Sequence, residues 1–391
     1  MMATNKTVTI KNCPEVRFKG FTDVWKQFRL GELCSEFRSG EFIKAEKITS
    51  SGDYPVYGGN GLRGYTDTYN HDGDFALIGR QGALCGNMQF SYGKAFFTEH
   101  AVAVKANNSN DTSFLYHLFG TMNLGQYSGQ SAQPGLAVGN LIEIETLVPD
   151  KTEQAQIGNF FQNLDQSIAL HEKKLIQIQN LKKAMLEKMF PKVGSKQPEI
   201  RLKGFSGDWE QTTLGEIADI YDGTHQTPRY TSSGIMFLSV ENIVSLQSKK
   251  YISEEDFEND FSVFPVRNDI LMTRIGDIGT ANIVNSDEKL AYYVSLALLK
   301  PKKVNPEYLV KAISSEIVQK GIWRRTLHIA FPKKINKNEI NNVEILVPMC
   351  DEEQSKIGQF FKKLDETLVL QQQQLQTLKN LKQAFLEKMF V

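Results

Sequence analysis

The sequence predicts an α+β protein with two globular α/β domains in tandem, each followed by a long helix. Three observations support this fold class. The chain repeats itself, both copies end in a breaker-free stretch with a heptad-like apolar pattern, and short β-branched and aromatic runs fill the remainder. Since the two helices carry equivalent apolar seams, we expect them to pair as an antiparallel coiled coil with pseudo-twofold symmetry.

The repeat is visible at both ends of the unit. Residues 16–33 return as 200–217 with nine of 18 positions identical, and residues 153–190 return as 353–390 with 19 of 38 identical. The chain is therefore two copies of one unit. The divergent middle leaves a second interpretation open, in which the copies are decayed duplicates of a structural domain.

The repeat divides the 391 residues into six segments. These are an N-terminal tail (1–14), a first globular domain (15–150), a central helix (151–190), a linker (191–199), a second globular domain (200–350) and a C-terminal helix (351–391). Two or three domains are also what a chain of this length predicts.

Each long helix carries an apolar seam with alternating steps of four and three. Polar residues interrupt it at His171 and Lys182, and again at Gln371 and Lys382, which predicts a fixed register. Further apolar residues widen each stripe, so we expect burial against the partner helix, with packing on the adjacent domain as the alternative. The seam residues are Ile157, Phe161, Leu164, Ile168, Leu175, Ile178, Met185, Met189, Ile357, Phe361, Leu364, Leu368, Leu375, Leu378, Phe385 and Met389, and the widening residues are Phe160, Leu170, Leu181, Leu186, Phe360, Leu370, Leu381 and Leu386.

An antiparallel pair of this length has a consequence for the domains. A helix of 38 residues is roughly 57 Å long. Such a pair would hold the two domains at opposite ends, a spacing that suits two half-sites on duplex DNA.

The globular segments are dominated by short strand-like runs. These lie at 54–61, 74–78, 100–104 and 234–240, between Gly, Asn, Asp and Pro residues. Short helices are predicted at 112–122 and 306–320.

The sequence carries no convincing catalytic or metal-binding motif. Residues 59–64 fit G-x-G-x-x-G, but a strand-like run follows instead of a helix. Asn305-Pro-Glu-Tyr308 resembles an amino-methyltransferase motif but lacks its second proline and a glycine-rich cofactor loop, so it predicts a helix start. Four distant cysteines and six histidines favour neither disulfides nor a metal site. We therefore expect no catalytic residue and no metal in this chain.

Charge gives a local signal but no global one. Lys plus Arg and Asp plus Glu are both 45, which argues against strong DNA binding by the isolated chain. Residues 300–337, however, hold ten Lys or Arg against two acids, which indicates a phosphate-facing surface or a solvated helix face.

Loop residues able to contact bases or phosphates are the candidate DNA-binding residues, with a plain loop role as the alternative for each. Arg80 and Arg274 occupy matching turns, so a shared structural salt bridge is a further alternative for this pair. The candidates are Arg63, Arg80, Gln81, Gln130, Gln133, Thr224, His225, Gln226, Thr227, Arg229, Arg274, Arg324, Arg325, His328, Lys333 and Lys334.

These motifs in this order resemble the DNA specificity subunit of type I restriction-modification systems. Each copy opens with Lys-Gly-Phe…Trp…Leu-Gly-Glu and closes with Leu-Val-Pro…Glu-Gln…Leu-Glu-Lys-Met-Phe. Residues 222–228 and 79–86 resemble segments of the family's target recognition domains. The resemblance covers nearly the whole chain, and its weight lies in the order and the duplication.

The resemblance implies a non-catalytic subunit of a restriction-modification complex. Each target recognition domain would recognise half of an asymmetric bipartite site in double-stranded DNA, and the helices would set the spacer and dock two modification subunits. Those subunits would bring S-adenosylmethionine, and separate motor-nuclease subunits would use ATP and Mg²⁺. A scaffold without DNA recognition and a self-contained methyltransferase or nuclease are the alternatives. No signal peptide or membrane span is evident, so a cytoplasmic location is expected.

Overall fold

A computed structural model describes residues 13–82, 84–129 and 135–391. The described residues form two compact units. The first unit contains the chain up to Glu172 together with Gln373–Val391, and the second contains Lys173–Gln372. Each unit therefore combines one globular domain with segments of both long helices.

The described part of the first unit contains a four-stranded sheet, a three-stranded sheet and a two-stranded ribbon. Among its described residues, sheet orders are β2-β8-β5-β6 (antiparallel), β4-β3-β7 (β3 and β7 parallel) and β1-β9. The strands are β1 (Lys26–Arg29), β2 (Cys34–Ser39), β3 (Tyr54–Gly58), β4 (Gly61–Thr66), β5 (Phe75–Gly79), β6 (Met88–Ser91), β7 (Phe96–Phe97), β8 (Ala101–Ala106) and β9 (Glu145–Val148). The helices are α1 (Thr112–Thr121), α2 (Val138–Leu141) and α3 (Lys151–Lys188), which continues into the second unit.

The second unit repeats this topology. Its described sheets have the orders β11-β17-β14-β15, β13-β12-β16 (β12 and β16 parallel) and β10-β18. The strands are β10 (Glu210–Thr213), β11 (Ala218–Asp222), β12 (Ile235–Leu238), β13 (Tyr251–Ile252), β14 (Ile270–Thr273), β15 (Ala281–Ile283), β16 (Leu290–Tyr292), β17 (Leu296–Pro301) and β18 (Glu344–Val347). The helices are α4 (Leu214–Ile217), α5 (Glu254–Asp260), α6 (Pro306–Ile313), α7 (Glu316–Arg325), α8 (Lys337–Asn341) and α9 (Asp351–Met389), which continues into the first unit.

The α+β fold class and its duplication are confirmed, because equivalent strands pair in the same order in both units. The predicted strand runs also fall on observed strands. The run at 54–61 becomes β3 with the start of β4, and the runs at 74–78, 100–104 and 234–240 contain most of β5, most of β8 and the whole of β12. Strands β5 and β14 are buried along their whole length, as continuous apolar runs predict.

The predicted helix at 306–320 is wrong as a single element. Helix α6 ends at Ile313, and α7 begins after Ser315, whose backbone is extended. The hydroxyl of Ser314 donates to the Val310 carbonyl at 3.5 Å, a local bond that competes with continuation of the helix, and Ser315 takes the extended N-cap position of α7. The predicted long helices (151–190 and 351–391) each run two residues too far, since α3 ends at Lys188 and α9 at Met389.

In the first unit, the start of α3 packs against the end of α9. Phe160 and Phe385 lie with ring centroids 5.1 Å apart, and Phe161 and Phe390 with ring centroids 5.7 Å apart. Met389 shares the domain core with Ile157 and Trp25. Because the beginning of one helix meets the end of the other, the pairing is antiparallel.

The second unit has the equivalent arrangement at the other ends of the same helices. Phe361 and Phe190 have ring centroids 5.9 Å apart, and Phe190 also packs on Trp209 and Tyr308. Met189 and Ile357 belong to the same core. Helix pairing and packing on a domain therefore occur together, although the sequence presented them as alternatives.

All sixteen predicted seam residues are buried or half-buried. The expected burial of the widened stripe is only partly correct. Leu170 and Leu381 in the first unit are exposed, and so are Leu181 and Leu370 in the second. A helix pair covers a narrow a/d seam, and residues beside that seam stay in solvent unless a third element covers them.

Candidate nucleic-acid interface

In the second unit, Arg274 joins the bases of two loops that carry candidate DNA-binding residues. It follows β14 and is buried, and its guanidinium pairs with the carboxylate of Asp222 at the end of β11. Its Nε donates to the carbonyl oxygen of Ile335 at 3.1 Å. Asp222 starts one loop and Ile335 ends the other, so this single side chain fixes both.

This burial bears on the alternatives for Arg274. The guanidinium donates inward, to Asp222 and Ile335, and does not face solvent. The observation favours the structural salt bridge over base contact for Arg274. A DNA contact by this side chain stays a prediction.

The first of these loops presents exposed polar side chains. His225, Gln226, Thr227 and Arg229 are exposed and Thr224 is half-buried. The preceding Gly223 is closely surrounded, because a Cβ there would lie 2.5 Å from the carbonyl oxygen of Tyr292. The Asp-Gly pair therefore anchors the loop, and the residues after it are free to contact a ligand.

Tyr292 also holds Asp222 at the start of this loop. Its hydroxyl donates to the backbone carbonyl of Asp222 at 3.1 Å. Burial raises the pKa of Tyr292, so the hydroxyl stays protonated and remains a donor at neutral pH.

The second loop, residues 327–334, follows α7. His328, Lys333, Lys334 and Arg324 are exposed, whereas Arg325 is half-buried and lies 3.9 Å from Glu339. The ring of His328 packs against Trp323 at a tilt, with ring centroids 4.2 Å apart, and its Nε2 lies 2.9 Å from the Trp323 carbonyl oxygen. The basic stretch predicted from the sequence thus places several cations on one loop and on the helix before it.

A cavity of about 450 Å³ lies beside this helix in the second unit. Four basic residues line it, Lys196, Lys320, Arg324 and Arg325, together with one acidic residue, Glu344, and residues of the predicted linker. Lys320 pairs with Glu316, while Arg324 has no ion pair to a described residue. The concave basic surface is suited to a phosphate group.

In the first unit, a cleft of about 400 Å³ brings two of the candidate residues together. Arg63 and Gln81 line it with Asn60 and His100. Nδ1 of His100 lies 2.9 Å from Oε1 of Gln81, which orients both side chains. His100 was not among the sequence candidates, and no spacing rule marks it, because the β8 start approaches the turn after β5 only in the fold.

Arg80 is the counterpart of Arg274 in the first unit. It follows β5, is half-buried, and donates to the carbonyl oxygens of Leu136 and Glu99 at 3.3 and 3.4 Å. It has no carboxylate partner among the described residues, so the expected salt bridge is present in only one of the two copies. Gln130 and Gln133 lie outside the described residues.

The repeated motifs at the domain ends clamp each domain to its helix. Arg17 and Glu153 form a bidentate pair at 2.8 and 2.6 Å, and Arg201 and Glu353 form the same pair at 2.8 Å for both contacts. The carboxylates are almost fully buried. These arginines and glutamates are identical in both copies, and that identity was the signal for their role.

Gln154 and Gln354 complete the clamps. Gln154 accepts from the backbone N–H of Asp111, the N-cap of α1, and donates to the carbonyl of Pro149. Gln354 accepts from Asn305 and donates to Pro348 in the same way. The shared motifs therefore hold both domains in the same orientation on their helices.

Metal-ligand clusters and membrane-spanning helices are both absent from the described ranges. No group of three or more His, Cys, Asp or Glu side chains there is placed to hold a metal ion. No helix in that part of the chain has the length and apolar character needed to cross a membrane.

A family model for the type I restriction modification DNA specificity domain matches residues 22–180 and 206–380. The chain belongs to this family. Each match covers one domain with most of the helix that follows it, so the specificity domain occurs twice. The resemblance to the specificity-subunit family stated from the sequence is confirmed.

Two named members of the specificity family illustrate the likeness. The EcoprrI specificity subunit of Escherichia coli is 43% identical over 144 residues, which is 36% of this chain and 36% of that subunit. The MjaVIII specificity subunit of Methanocaldococcus jannaschii is 20% identical over 300 residues, which is 71% of this chain and 70% of that subunit. The matched segment thus spans about a third of the EcoprrI subunit.

A solved structure shows the same fold. The type I restriction-modification S subunit from M. genitalium superposes with a TM-score of 0.73 at 17% identity, over 97% of this chain and 99% of that one. At this identity the likeness establishes the fold of the specificity family for both units and no more.

Proposed function

We propose that the chain is the non-catalytic DNA-recognition subunit of a type I restriction-modification complex, with each domain contacting one half of an asymmetric bipartite site. The observation that carries this proposal is that the two domains share one scaffold but present different polar residues on it. Both domains share sheet order and clamps, whereas the polar residues they present differ. These are Arg63 on β4, Gln81 and half-buried His100 in the first domain, and the exposed loop residues His225, Gln226 and Arg229 in the second. Two domains with the same scaffold and different candidate contact residues are suited to two half-sites of different base sequence.

The partners in this proposal are double-stranded DNA, two modification subunits and motor-nuclease subunits. The modification subunits would bring S-adenosylmethionine, and the motor-nuclease subunits would use ATP and Mg²⁺. Exposed leucines on the helices support docking there: Leu170 and Leu381 in the first unit, and Leu181 and Leu370 in the second. Apolar side chains left on an otherwise paired helix are typical of protein contact sites.

The helix pair would set the spacer between the half-sites. The antiparallel register supports this role, because ion pairs from Lys382 to Asp165 and from Lys182 to Asp365 fix it within each unit. A pair that cannot slide keeps a constant length. The linker (191–199) joins the central helix to the second domain, so adding residues near 191–198 should change spacer length and leave both half-site sequences intact.

The decisive experiment is methylome sequencing of cells that express the chain with its modification partners. We expect one split, non-palindromic methylated motif, and we expect deletion of the chain to abolish it. Methylation that persists without the chain, or methyl transfer by the purified chain alone, would contradict the proposal. A complex that assembles but methylates no motif would support a protein scaffold instead.

Domain exchange provides the matched control. Replacing residues 15–150 with the first domain of a related subunit should change the first half-site only. Replacing residues 200–350 should change the second half-site only. If either exchange altered both half-sites, the assignment of one domain to one half would be wrong.

A further inference from the structure

The loop at residues 327–334 in the second unit exposes two large apolar side chains at its tip. Ile329 is 99% exposed and Phe331 is 104% exposed, more than any other large hydrophobic side chain in the described ranges. We call residues 327–334 the apolar tip loop. Apolar groups held this far into water indicate a ligand that covers them.

The base of the apolar tip loop is held rigidly. The N–H of Leu327 donates to the Lys334 carbonyl at 2.8 Å, and the N–H of Gly276 donates to the Lys333 carbonyl at 2.9 Å. Arg274 fixes the end of the loop through both its backbone carbonyl and its Nε, which bond Ile335. The tip is therefore presented on a fixed support, which lowers the entropy lost on binding.

Basic side chains lie on the same loop and on the helix before it. Lys333 lies with its Nζ 4.8 Å from the centre of the Trp323 ring, and Lys334 and Arg324 are exposed. Within the described part of the chain, none of these three cations forms an ion pair with a carboxylate. The loop and the helix before it thus combine unpaired positive charges with the exposed apolar side chains Ile329 and Phe331. The positive charge is complementary to a polyanion.

The combination favours nucleic acid over a protein surface. A stable protein interface covers about 800 Å² on each partner, and depletion of lysine is typical of its core. Here the apolar surface consists of the two tip side chains with exposed Trp323 and Leu327 beside the loop, and lysines lie among them: Lys333 contacts the Trp323 ring and Lys334 pairs through its backbone with Leu327. Proteins that deform duplex DNA insert such apolar side chains between base pairs while adjacent cations contact phosphates.

We propose that Ile329 and Phe331 insert between two adjacent base pairs of the DNA bound by the second domain, while Lys333 and Lys334 contact the flanking phosphates. This inference rests on the proposed function and specifies how the second domain contacts its DNA. Insertion would locally unstack one base step, so the sequence of that step would affect affinity without any hydrogen bond to its bases.

The test uses the complex of the full chain with its modification subunits and a duplex containing the methylated motif. The duplex carries 2-aminopurine at one position at a time across the second half-site and its flanks. We expect fluorescence to rise at one step, because 2-aminopurine brightens when it unstacks. The double variant Ile329→Ala with Phe331→Ala should abolish that rise and weaken binding about tenfold or more. Its salt dependence should not change, since no charge is removed.

Two matched variants separate the roles of the loop. Lys333→Gln with Lys334→Gln should reduce the slope of log affinity against log salt by about two and keep the fluorescence rise at saturating protein. Val244→Ala removes an apolar side chain that is 81% exposed in the same unit and should change neither quantity. Thermal unfolding of each variant checks that it remains folded.

Three results would overturn the insertion. They are no fluorescence rise at any position in the wild-type complex, wild-type affinity for the double alanine variant, or loss of modification-subunit binding by that variant with DNA binding retained. The last result would identify a protein docking site. If the wild-type complex recognised no motif at all, the proposed function would fail, whereas a recognised motif without unstacking would refute only the insertion.

Discussion

Nζ of Lys382 lies 2.5 Å from a carboxylate oxygen of Asp165, so the end of the C-terminal helix is ion-paired to the first half of the central helix. Lys182 makes the equivalent 2.5 Å contact with Asp365 in the second unit. Both lysines interrupt the apolar seam. The interruptions therefore fix the register of the pair, as buried or half-buried polar seam residues do in other coiled coils.

Charge reversal tests this register lock. Lys382→Glu should lower the free energy of unfolding by about 1–2 kcal/mol, because it places two acids together at half-buried positions. Adding Asp165→Lys should recover part of that loss. Urea denaturation measures both, and Lys379→Glu is the matched control, since its pair with Glu172 is nearly half exposed and should contribute at most about 0.5 kcal/mol. No recovery in the double variant would contradict a direct pair.

The buried clamp at Arg17 should be more sensitive to mutation. Arg17→Ala leaves the Glu153 carboxylate, which is 1% exposed, without its bidentate partner. We expect a loss of about 3–5 kcal/mol in the first unit, and Arg201→Ala should cause a similar loss in the second. Arg29→Ala removes an exposed pair with Glu143 and should cost no more than about 1 kcal/mol. Equal effects of Arg17→Ala and Arg29→Ala in chemical denaturation would contradict the clamp.

Acid should destabilise the first unit through His117. Burial, followed by the charge of Lys382, lowers the pKa of His117 from an ordinary 6.5 to about 3. Its Nε2 is buried without a hydrogen-bond partner, 3.8 Å from Asp165. The unfolded chain binds a proton that the folded chain excludes, so stability present near pH 7 is lost as pH falls below about 6.5.

The loss between pH 7 and pH 5 should be about 2 kcal/mol. His117→Gln should remove that part of the pH dependence, as measured by urea denaturation at both pH values. Asp365 acts at lower pH. Burial opposes its ionisation, but hydrogen bonds from Lys182 and Lys311 outweigh burial and lower the pKa of Asp365, so its contribution is lost only below about pH 4. If the His117→Gln variant kept the wild-type pH dependence of stability, His117 would be excluded as the cause of the loss between pH 7 and pH 5.

Much of the fold follows from the sequence because the repeat and the seam are periodic signals. The antiparallel partner of Phe161 could be inferred from the matching seam, and Phe390 is indeed there. The bridge from Arg274 to Asp222 could not be inferred, because 52 residues separate them and only the β11-β17-β14 sheet brings their strand ends together. Exposure at Leu170 was missed because periodicity shows which residues share a stripe and not how much of it a partner covers.

A single glycine in each long helix permits close helix packing. A Cβ on Gly158 would lie 2.7 Å from the Asp111 carboxylate and 2.9 Å from the backbone nitrogen of Phe114. Gly158→Ala should therefore lower stability by about 1–3 kcal/mol, despite the better helix propensity of alanine. Gly139→Ala, where no heavy atom lies within 4 Å, should be neutral or stabilising. Thermal melts compare the two, and equal melting temperatures would show that the site relaxes without cost.

Arg274→Lys tests the loop anchor without removing its charge. Lysine cannot contact both Asp222 and the Ile335 carbonyl in the fork geometry of arginine. We expect a loss of about 1–3 kcal/mol in the second unit and weaker DNA binding by the complex. Arg80→Lys should cost less, since Arg80 bonds only carbonyl oxygens. Unchanged DNA affinity for Arg274→Lys would show that the loops hold their shape without it.

The division of the chain into units affects its biosynthesis. The core of the first unit includes Met389 and Phe390, which the ribosome adds more than 200 residues after the first domain. A nascent chain therefore carries an incomplete first unit, with Phe161 lacking its later neighbour, throughout translation of the second domain. Premature termination in the C-terminal helix should therefore leave the first domain less stable than the second, although the codons of the first domain are intact.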